Sequence, residues 1–340
     1  MKKILIFGAG SIGNHMSKAC TELGYEVFIT DISSAALVRM KNFLYPMRYK
    51  KWNNKIQRVS YKEVFNLNFF FDLIIIGTPP ISHLNIFNDC KKNLKFKRIL
   101  IEKPISNFTN NRIYNLKRYT DKYFIFCGYN HSVNPSLSNF LKIIKRYKNK
   151  INTISVSWNE GWKGILNAHP WLKNEFSSYL GDYKSGGGAT QEHSHGIHVI
   201  VCILNTLKIK GLKIDKKINF FKSSKGIKYD YYSSFFSNIK NIFIKYETNL
   251  LTYPANKSIK IETNDRSINW YCNYKKDKDC ITIIKNNSKS EKIFKKTRSS
   301  EFVNEIKHIM RIDNKKKYNN SPINLDNSLK VFNLIQKVLK

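Results

Sequence analysis

Three side chains in this sequence, Lys103, Glu192 and His195, have types and settings that suit acid–base chemistry. Lys103 stands between Glu102 and Pro104, directly after an apolar run that predicts a strand. A lysine at a strand end can hydrogen-bond a reacting hydroxyl and stabilise developing alkoxide charge. A histidine such as His195 can accept a hydroxyl proton near neutral pH, and Glu192 is a candidate to orient it or to bind substrate. These residues predict an enzyme that acts on a hydroxyl group.

The segment Gly186–His198 is the densest cluster of polar groups in the chain, and its three histidines also suggest a metal site. On one helix, His195 would share a face with Glu192 and with His198. Metal ligation would need further ligands that the sequence does not indicate, so we predict no metal. We interpret His193 and His198 as packing or rim residues, and keep His198 as a candidate substrate contact.

A glycine fingerprint near the start of the chain predicts a dinucleotide site. Gly8, Gly10 and Gly13 follow the apolar run Lys3–Phe7 and precede an amphipathic segment, Ile12–Leu23. The first glycine permits a tight turn, the second lets the backbone approach a pyrophosphate, and the third allows close helix–strand packing. The phosphates would lie at the helix N-terminus, where N–H groups and the dipole favour anions. The predicted contacts are Gly8, Gly10, Ser11, Ile12 and Gly13.

The type of nicotinamide dinucleotide is indicated by Asp31, which follows the second predicted strand, Glu26–Thr30. A carboxylate at this position accepts hydrogen bonds from the ribose hydroxyls and repels a 2′-phosphate. We therefore expect NAD as the cofactor rather than NADP.

Two further loops follow predicted strands on the same side of the sheet. Prolines in Thr78-Pro79-Pro80 cannot continue a strand and shape a rigid loop at its carboxyl end, where such folds bind ligands. His83, one turn later, either contacts the cofactor or makes a structural hydrogen bond at a helix start. The additional candidate cofactor contacts are Thr78, Pro79, Pro80, His83, Glu102 and Lys103.

The elements that must position these residues fall into two patterns. Over residues 1–125, short apolar runs alternate with helical segments, which predicts a doubly wound parallel sheet of the Rossmann type. Over residues 126–340, strands separated by polar turns predict an α+β domain with an open, mainly antiparallel sheet. Helices are expected at about 192–207, 301–312 and 328–340, the last closing the chain. The predicted second-domain strands are Thr153–Trp158, Ile214–Phe221, Tyr229–Phe236, Asn241–Tyr246, Ser258–Glu262, Ser267–Tyr271 and Cys280–Ile284.

Composition narrows the classes of partner. The 340 residues carry a formal net charge of +35, but lysines are spread along the chain without a basic stripe, so we expect no nucleic-acid partner. Six cysteines without a CxxC pair are typical of free thiols in a reducing compartment. Gly8 interrupts the first apolar run too soon for a signal peptide, and no stretch predicts a membrane span. We expect a cytoplasmic location.

In their order along the chain these motifs resemble the family of glucose–fructose oxidoreductase and inositol dehydrogenase. The likeness includes the glycine fingerprint, Thr78-Pro79-Pro80, Glu102-Lys103-Pro104, Gly128-Tyr129-Asn130 and the Gly-rich run with Glu192 and His195. The resemblance implies a Rossmann domain followed by an open-sheet domain, and a homodimer or homotetramer through that sheet. It also implies hydride transfer between nicotinamide and a hydroxyl-bearing carbon, with Lys103 and His195 as the catalytic pair.

The resemblance implies a sugar, amino sugar or sugar nucleotide as substrate, with a place in surface-glycan biosynthesis. Glu192 stands where the family mostly has Asp, and one residue closer to His195 than in the commonest pattern. Aromatic faces beside polar groups suit a sugar ring. Two alternatives remain open, an NAD-dependent glycosidase and a non-catalytic nucleotide- or sugar-sensing regulator. The candidate substrate contacts are Asn130, Trp158, Trp171, Tyr179 and His198.

Overall fold

A computed structural model describes residues 1–286 and 288–340. The chain forms two compact units that are not consecutive in sequence. The first unit comprises Met1–Ser106, Asn110–Asn130 and Arg298–Ser328. The second comprises Asn107–Thr109, His131–Thr297 and Leu329–Lys340.

The described strands are numbered in chain order. They are β1 Lys3–Phe7, β2 Glu26–Thr30, β3 Ile56–Arg58, β4 Phe70–Phe71, β5 Leu73–Ile76, β6 Lys95–Phe96, β7 Arg98–Ile101, β8 Phe124–Cys127, β9 Ile151–Asn159, β10 Asp215–Lys222, β11 Lys228–Ile239, β12 Ile242–Asn249, β13 Asn256–Thr263, β14 Arg266–Lys275, β15 Lys278–Lys285 and β16 Ser288–Lys295.

The described α-helices are numbered in the same way. They are α1 Ser11–Glu22, α2 Ser34–Arg39, α3 Tyr45–Tyr49, α4 His83–Asn93, α5 Pro135–Arg146, α6 Trp162–Ala168, α7 Ala189–Glu192, α8 Ser194–Leu207, α9 Arg298–Met310, α10 Lys315–Asn319 and α11 Leu325–Leu339. Of the helices in the described part of the chain, none combines the length and apolar character needed to cross a membrane.

The first unit is built on a parallel sheet of six strands in the order β3-β2-β1-β5-β7-β8. Its central strands are mainly apolar and buried, with residues 4–7 of β1 and all of β5 at 0% exposure. A strand apolar on both faces needs cover on both faces, which the βαβ connections supply. Strand order reverses between β1 and β5, so the carboxyl ends of these strands form the crevice where such sheets bind ligands.

The second unit contains an eight-stranded sheet in the order β10-β11-β12-β9-β13-β14-β15-β16. Only β12 and β9 pair in parallel, and the other neighbours are antiparallel. Helices α5 and α8 pack together, with α8 against β9 and β12 and α5 against β14 and β15. The predicted fold class, a Rossmann-type parallel sheet followed by a mainly antiparallel open sheet, is confirmed.

Three local features differ from expectation. Edge strands β3 and β16 were not predicted, because three residues are too short a pattern and because Ser288–Lys295 is almost entirely exposed and polar. The single helix expected over 192–207 is two helices that meet at His193, whose φ and ψ of −93° and 22° depart from helical values. The segment Arg298–Ser328 belongs to the first unit, so one cut near residue 125 does not describe the division.

The segment Arg298–Ser328 completes the first unit through two sets of contacts. Its helix α9 packs on α1, where the rings of Phe302 and His15 stack at 4.9 Å. Farther on, the Cys127 N–H donates to the Ile323 carbonyl at 3.0 Å, and Tyr318 donates its hydroxyl to the Ile125 carbonyl at 2.8 Å. The outer strand β8 is thereby covered by the segment Arg298–Ser328.

Candidate functional site

The turn between β1 and α1 has the backbone features that the fingerprint predicts for its first and third glycines. Gly8 adopts φ +103°, a left-handed value that glycine tolerates, and a Cβ on Gly13 would lie 1.8 Å from the Gly8 carbonyl oxygen. A Cβ on Gly10, in contrast, would meet no protein atom within 4 Å. Gly8 and Gly13 are therefore required by the packing of the turn, whereas the space above Gly10 is open to a bound molecule.

The N-terminus of α1 opens onto the same space. Gly10 occupies the N-cap position, so no side chain caps the helix. The leading N–H groups of an uncapped helix, with the helix dipole, form a setting that suits a phosphate. Arg48 adds a positive charge here, because its guanidinium donates to the Ser11 carbonyl at 3.3 Å and to Ser11 Oγ at 3.1 Å. Ser11 and Ile12 are half-buried at the helix start.

Asp31 lies at the end of β2 with its carboxylate turned toward the glycine turn. One oxygen accepts the Ala9 N–H at 2.8 Å, and the other accepts the Ser33 N–H at 2.8 Å. A carboxylate oxygen can accept more than one hydrogen bond, so both oxygens retain capacity for a hydroxyl. The geometry fits a carboxylate that holds a ribose.

The loop after β5 is rigid, and His83 explains why. Its Nδ1 lies 3.1 Å from the Ile105 carbonyl oxygen and its Nε2 lies 2.8 Å from the Thr78 carbonyl oxygen. The ring is fully buried, so it is not a cofactor contact, and the alternative of a structural hydrogen bond at the start of α4 is what the structure contains. Burial lowers the pKa of His83. His83 thus joins the loop after β5 to the loop after β7.

The remaining residues of the β5 loop differ in exposure. Pro80 is buried, Pro79 is exposed, and Thr78 is half-buried with its hydroxyl 2.7 Å from Ser82 Oγ. Ser82 in turn donates to the Pro79 carbonyl at 2.8 Å. Thr78 and Pro79 therefore remain available to a cofactor, whereas Pro80 shapes the loop from within.

Lys103 follows β7 and is half-buried, next to a buried carboxyl pair. The Lys103 N–H donates to Glu102 Oε2 at 3.2 Å, and a Cβ on Gly128 would lie 2.6 Å from Glu102 Oε1. Glu305 of α9 is fully buried, and neither carboxylate oxygen has a hydrogen-bond partner in the described part of the chain. Burial, reinforced by the charge of Glu102, raises the pKa of Glu305 well above its usual value. Glu102 is thus a buried neighbour of Lys103 with little room for a cofactor.

His195 is positioned by close packing of α8 on the second sheet. A Cβ on the next residue, Gly196, would lie 2.8 Å from Trp158 Cβ and 2.8 Å from Tyr246 Cε2. The helix therefore lies flush on β9 and β12, and the His195 ring stacks on Trp158 at 6.0 Å. Both Glu192, at the end of α7, and His195, near the start of α8, are half-buried.

The segment that carries Glu192 and His195 is anchored by Asp230 of β11. Asp230 Oδ2 accepts the Thr190 N–H at 2.7 Å and the Thr190 hydroxyl at 2.6 Å. A Cβ on Gly188 would lie 2.0 Å from Asp230 Oδ1, so only glycine fits beside this carboxylate. Burial raises the pKa of Asp230 to about 7. Within the Gly-rich run, Gly188 is therefore explained by its packing against Asp230, whereas Gly187 packs against the backbone carbonyls of Tyr179 and Leu180.

The five predicted substrate contacts do not form one group. Trp158 and His198 are each only 1% exposed, Trp158 because it packs between His195 and Trp270, and His198 because it points into the helix packing beside Cys202. Their predicted substrate contact is corrected to a packing role. Trp171 and Tyr179 are half-buried and stay candidates.

Asn130, the last of the five, is 4% exposed, and its Oδ1 has no hydrogen-bond partner among the described residues. An unsatisfied buried amide oxygen is costly unless a ligand or water completes it. Asn130 therefore stays a candidate.

The structure thus assembles two groups of predicted residues, one in each unit. The first group lies at the carboxyl edge of the parallel sheet and comprises the glycine turn, Asp31, the β5 loop and Lys103. The second comprises Glu192 and His195 on α7 and α8. No three His, Cys, Asp or Glu side chains within residues 1–286 and 288–340 are grouped so as to hold a metal ion.

Two residues beside these groups were missed by sequence reasoning. They are His131, which lies against His195, and Asp230, which anchors Thr190. Each contacts a residue distant in sequence. The only available signals were the polar residue Asp230 inside an apolar strand pattern and His131 beside the Gly-Tyr-Asn run.

Comparison with known proteins finds solved structures with a similar fold but no relative that is close in sequence. No model of a protein family matches the chain, and no curated protein matches it. Among solved structures, levoglucosan dehydrogenase in complex with NADH and levoglucosan has a TM-score of 0.75 at 11% identity, over 99% of this chain and 96% of that chain.

Two further structures are comparably similar. KijD10, a 3-ketoreductase from Actinomadura kijaniata in complex with NADP and TDP-benzene, has a TM-score of 0.74 at 10% identity, covering 99% of this chain and 97% of its own. The super-repressor mutant of Gal80p from Saccharomyces cerevisiae has a TM-score of 0.74 at 11% identity, covering 99% and 95%. These likenesses establish a shared fold, which confirms the expected family resemblance at that level.

Proposed function

We propose that this protein is an NAD-dependent oxidoreductase that acts on a hydroxyl-bearing carbon of a sugar, amino sugar or sugar nucleotide. The observation that carries the proposal is the open space above Gly10 at an uncapped helix N-terminus, with Asp31 beside it. That cradle fits the pyrophosphate and ribose of a dinucleotide. The shared fold with enzymes crystallised with NADH or NADP supports the same assignment.

Residues around the open space above Gly10 would bind the dinucleotide. The first N–H groups of α1 and the Arg48 guanidinium would hold the pyrophosphate, and Asp31 the adenosine ribose. A 2′-phosphate would meet the Asp31 carboxylate, so repulsion favours NAD over NADP. Bound NAD supplies a nicotinamide ring that accepts or donates hydride.

The chemistry of the hydroxyl is assigned to Lys103 and His195. In oxidation, His195 accepts the hydroxyl proton as the hydride leaves carbon, and the Lys103 ammonium stabilises the developing charge on oxygen. In reduction, His195 returns the proton to the carbonyl oxygen. Glu192, three residues before His195, is assigned to substrate binding or to orienting that histidine. A role in surface-glycan biosynthesis would follow from activity on a sugar nucleotide.

The test has a binding step and a turnover step. Thermal unfolding with NAD, and with NAD plus a panel of sugars, amino sugars and sugar nucleotides, identifies ligands because binding to the native state raises stability. Nicotinamide absorbance then follows turnover on the ligands found. Lys103→Ala and His195→Ala should each lower kcat by about a hundredfold or more, the scale of a lost acid–base group. Wild-type turnover in either variant would refute its assignment.

The alternatives give different readouts in the same assay. A glycosidase with bound NAD would release free sugar with no net change in nicotinamide absorbance. A regulator with this fold would bind NAD without turnover. The shared fold with the super-repressor mutant of Gal80p is the observation that supports this alternative. Lys103→Ala and His195→Ala would then leave ligand binding unchanged.

A further inference from the structure

Gln191 of α7 is the residue before Glu192, and the proposed reaction gives it no role. Its side chain is fully buried, and its carboxamide meets three backbone groups. Nε2 donates to the Tyr183 carbonyl at 2.6 Å and to the Gly187 carbonyl at 3.0 Å. Oε1 accepts the Phe108 N–H at 3.0 Å. One side chain therefore joins α7 to a segment that is distant in sequence.

The orientation of this carboxamide is set by the backbone groups around it. A backbone N–H only donates, so the atom that meets Phe108 is the amide oxygen. The Tyr183 and Gly187 carbonyls only accept, so the atom that meets them is the amide nitrogen. The three contacts agree on one orientation, and together they need a side chain that carries both a donor and an acceptor.

Phe108 lies in a short buried segment, Asn107–Thr109, which belongs to the second unit although the residues before it belong to the first. The segment is part of no helix or strand, so its buried backbone groups need partners of another kind. Gln191 accepts the Phe108 N–H, and Gln336 of α11 donates to the Phe108 carbonyl at 2.7 Å. Two glutamine side chains thus supply the hydrogen bonds that a neighbouring strand would otherwise make.

The same segment ends the loop that carries Lys103, which is five residues before Phe108. Between them, the Ile105 carbonyl oxygen lies 3.1 Å from His83 Nδ1. The loop is therefore held in its middle by His83 and at its end by Gln191. A connection this short passes a displacement of Phe108 back toward Lys103, and a shift of about 1 Å in a catalytic group can cost about a hundredfold in rate.

We propose that Gln191 is a positioning residue for Lys103, because it fixes the end of the Lys103 loop on α7, the helix that ends in Glu192. The inference rests on the proposed function, which assigns Lys103 to the reacting hydroxyl. Gln191 is fully buried and touches neither substrate nor cofactor. The loop with Lys103 and the helix with Glu192 share one anchor, so they do not shift independently.

The first test measures the hold on Phe108 without any substrate. Hydrogen exchange of peptide 104–109, followed by mass spectrometry, reports how often its backbone amides open. Gln191→Met removes the donor and the acceptor from a side chain of similar length, and should speed exchange in this peptide by about tenfold or more. Gln336→Met should also speed it, because it frees the carbonyl of Phe108. Unchanged exchange in Gln191→Met would overturn the proposal.

The matched control for these substitutions is Gln57→Met. Gln57 lies on the edge strand β3 and is exposed, with its Nε2 donating to Glu26 Oε1 at 2.6 Å. The same loss of an amide at this position should leave exchange of peptide 104–109 and kcat unchanged.

Kinetics with the substrate found above tests whether the anchor acts through Lys103. Measured well below the unfolding midpoint of each variant, Gln191→Met should lower kcat by about tenfold or more while KM and NAD affinity stay within about twofold, as misplacement of a catalytic group predicts. In a Lys103→Ala background, Gln191→Met should lower kcat by less than about twofold further, since no ammonium is left to misplace. A further loss of about tenfold in the double variant would show independent effects and overturn the role through Lys103.

The outcomes separate this inference from the proposed function. Wild-type turnover in Lys103→Ala would remove the proposed function and this inference with it. An inactive Lys103→Ala together with wild-type kcat in a folded Gln191→Met would overturn the positioning role alone. If Gln191→Met does not fold by circular dichroism, the same cycle with Gln336→Met decides the question, because that side chain holds Phe108 from α11 instead of α7.

Discussion

Gly196 lies directly against Trp158, at a distance where a Cβ on the glycine would be 2.8 Å from the Cβ of the tryptophan. A Cβ at that distance would be closer than real Cβ atoms come to other atoms. Trp158 is 1% exposed and cannot move aside easily. The depth at which α8 sits on β9 is therefore set by the absence of a side chain at position 196. Because His195 is the adjacent residue, the same contact sets the position of the candidate base.

We predict that Gly196→Ala displaces α8 from the sheet. Overpacking in a close-packed interior costs about 1–3 kcal/mol, which urea unfolding should detect as a lower midpoint. Turnover should fall more steeply than stability, because the shift moves His195. Gly164→Ala is the matched control, since its Cβ would meet mainly the flexible side chain of Glu160, and alanine favours the helix. Unchanged stability in Gly196→Ala would contradict the packing argument.

The fingerprint glycines should separate into a structural and a binding class. Gly13→Ala places a Cβ 1.8 Å from the Gly8 carbonyl oxygen and should strongly destabilise the first unit. Gly10→Ala meets no protein atom within 4 Å, so thermal stability without ligand should be unchanged while NAD affinity falls by about tenfold or more. Thermal unfolding without ligand measures the first quantity, and calorimetric titration with NAD measures the second. Normal NAD affinity in Gly10→Ala would rule out the proposed cradle.

Cofactor choice should depend on Asp31. Asp31→Ser removes the ribose-binding charge, and should weaken NAD by about tenfold while improving NADP, since charge-assisted hydrogen bonds contribute roughly 1.5–3 kcal/mol. Asp72→Ser is the control, because Asp72 also accepts a backbone N–H, from Lys3 at 3.0 Å, but precedes β5 at the opposite edge of the sheet. Equal affinities for NAD and NADP in the unmodified protein would contradict the assignment.

Asp230 should make stability depend on pH. Its pKa is raised from 3.8 to about 7 by burial, so the native state holds a proton that the unfolded chain releases. Stability from this group is thus complete below pH 3.8 and declines as the pH rises toward 7. Asp230→Asn should abolish this decline, seen as the difference between the two unfolding free energies across the range. Parallel curves for the two proteins would refute the prediction.

The first sheet could be predicted from the sequence because its central strands consist mainly of apolar residues. Strands β1 and β2 begin and end at the residues that the sequence indicated, since a strand buried on both faces is a nearly continuous apolar run. Edge strand β16 carries no such pattern, because Ser288–Lys295 faces solvent. A pattern of apolar residues reflects burial. It therefore identifies buried strands and misses exposed strands at the edge of a sheet.

The local motifs of the candidate site could be predicted from the sequence. The residues that hold those motifs in place could not. Gly8, Gly10 and Asp31 are readable because their roles depend on neighbours in sequence. His131 and Asp230 were missed because their roles arise from contacts with residues remote in sequence. The two roles left open for His83 could not be separated for a related reason, since only the fold reveals that two backbone carbonyls lie against its ring nitrogens.

The return of Arg298–Ser328 to the first unit has a consequence for biosynthesis. The face of α1 that receives Phe302, and the edge of β8 that receives Ile323, stay uncovered while the ribosome makes His131–Thr297, the largest segment of the second unit. Domains fold as units during synthesis, and neither unit is complete until its last segment, Arg298–Ser328 or Leu329–Lys340, has been made. The first unit is therefore started first but completed only after most of the second has been made, and a nascent chain stalled before residue 298 would depend on chaperones to keep those apolar surfaces from aggregating.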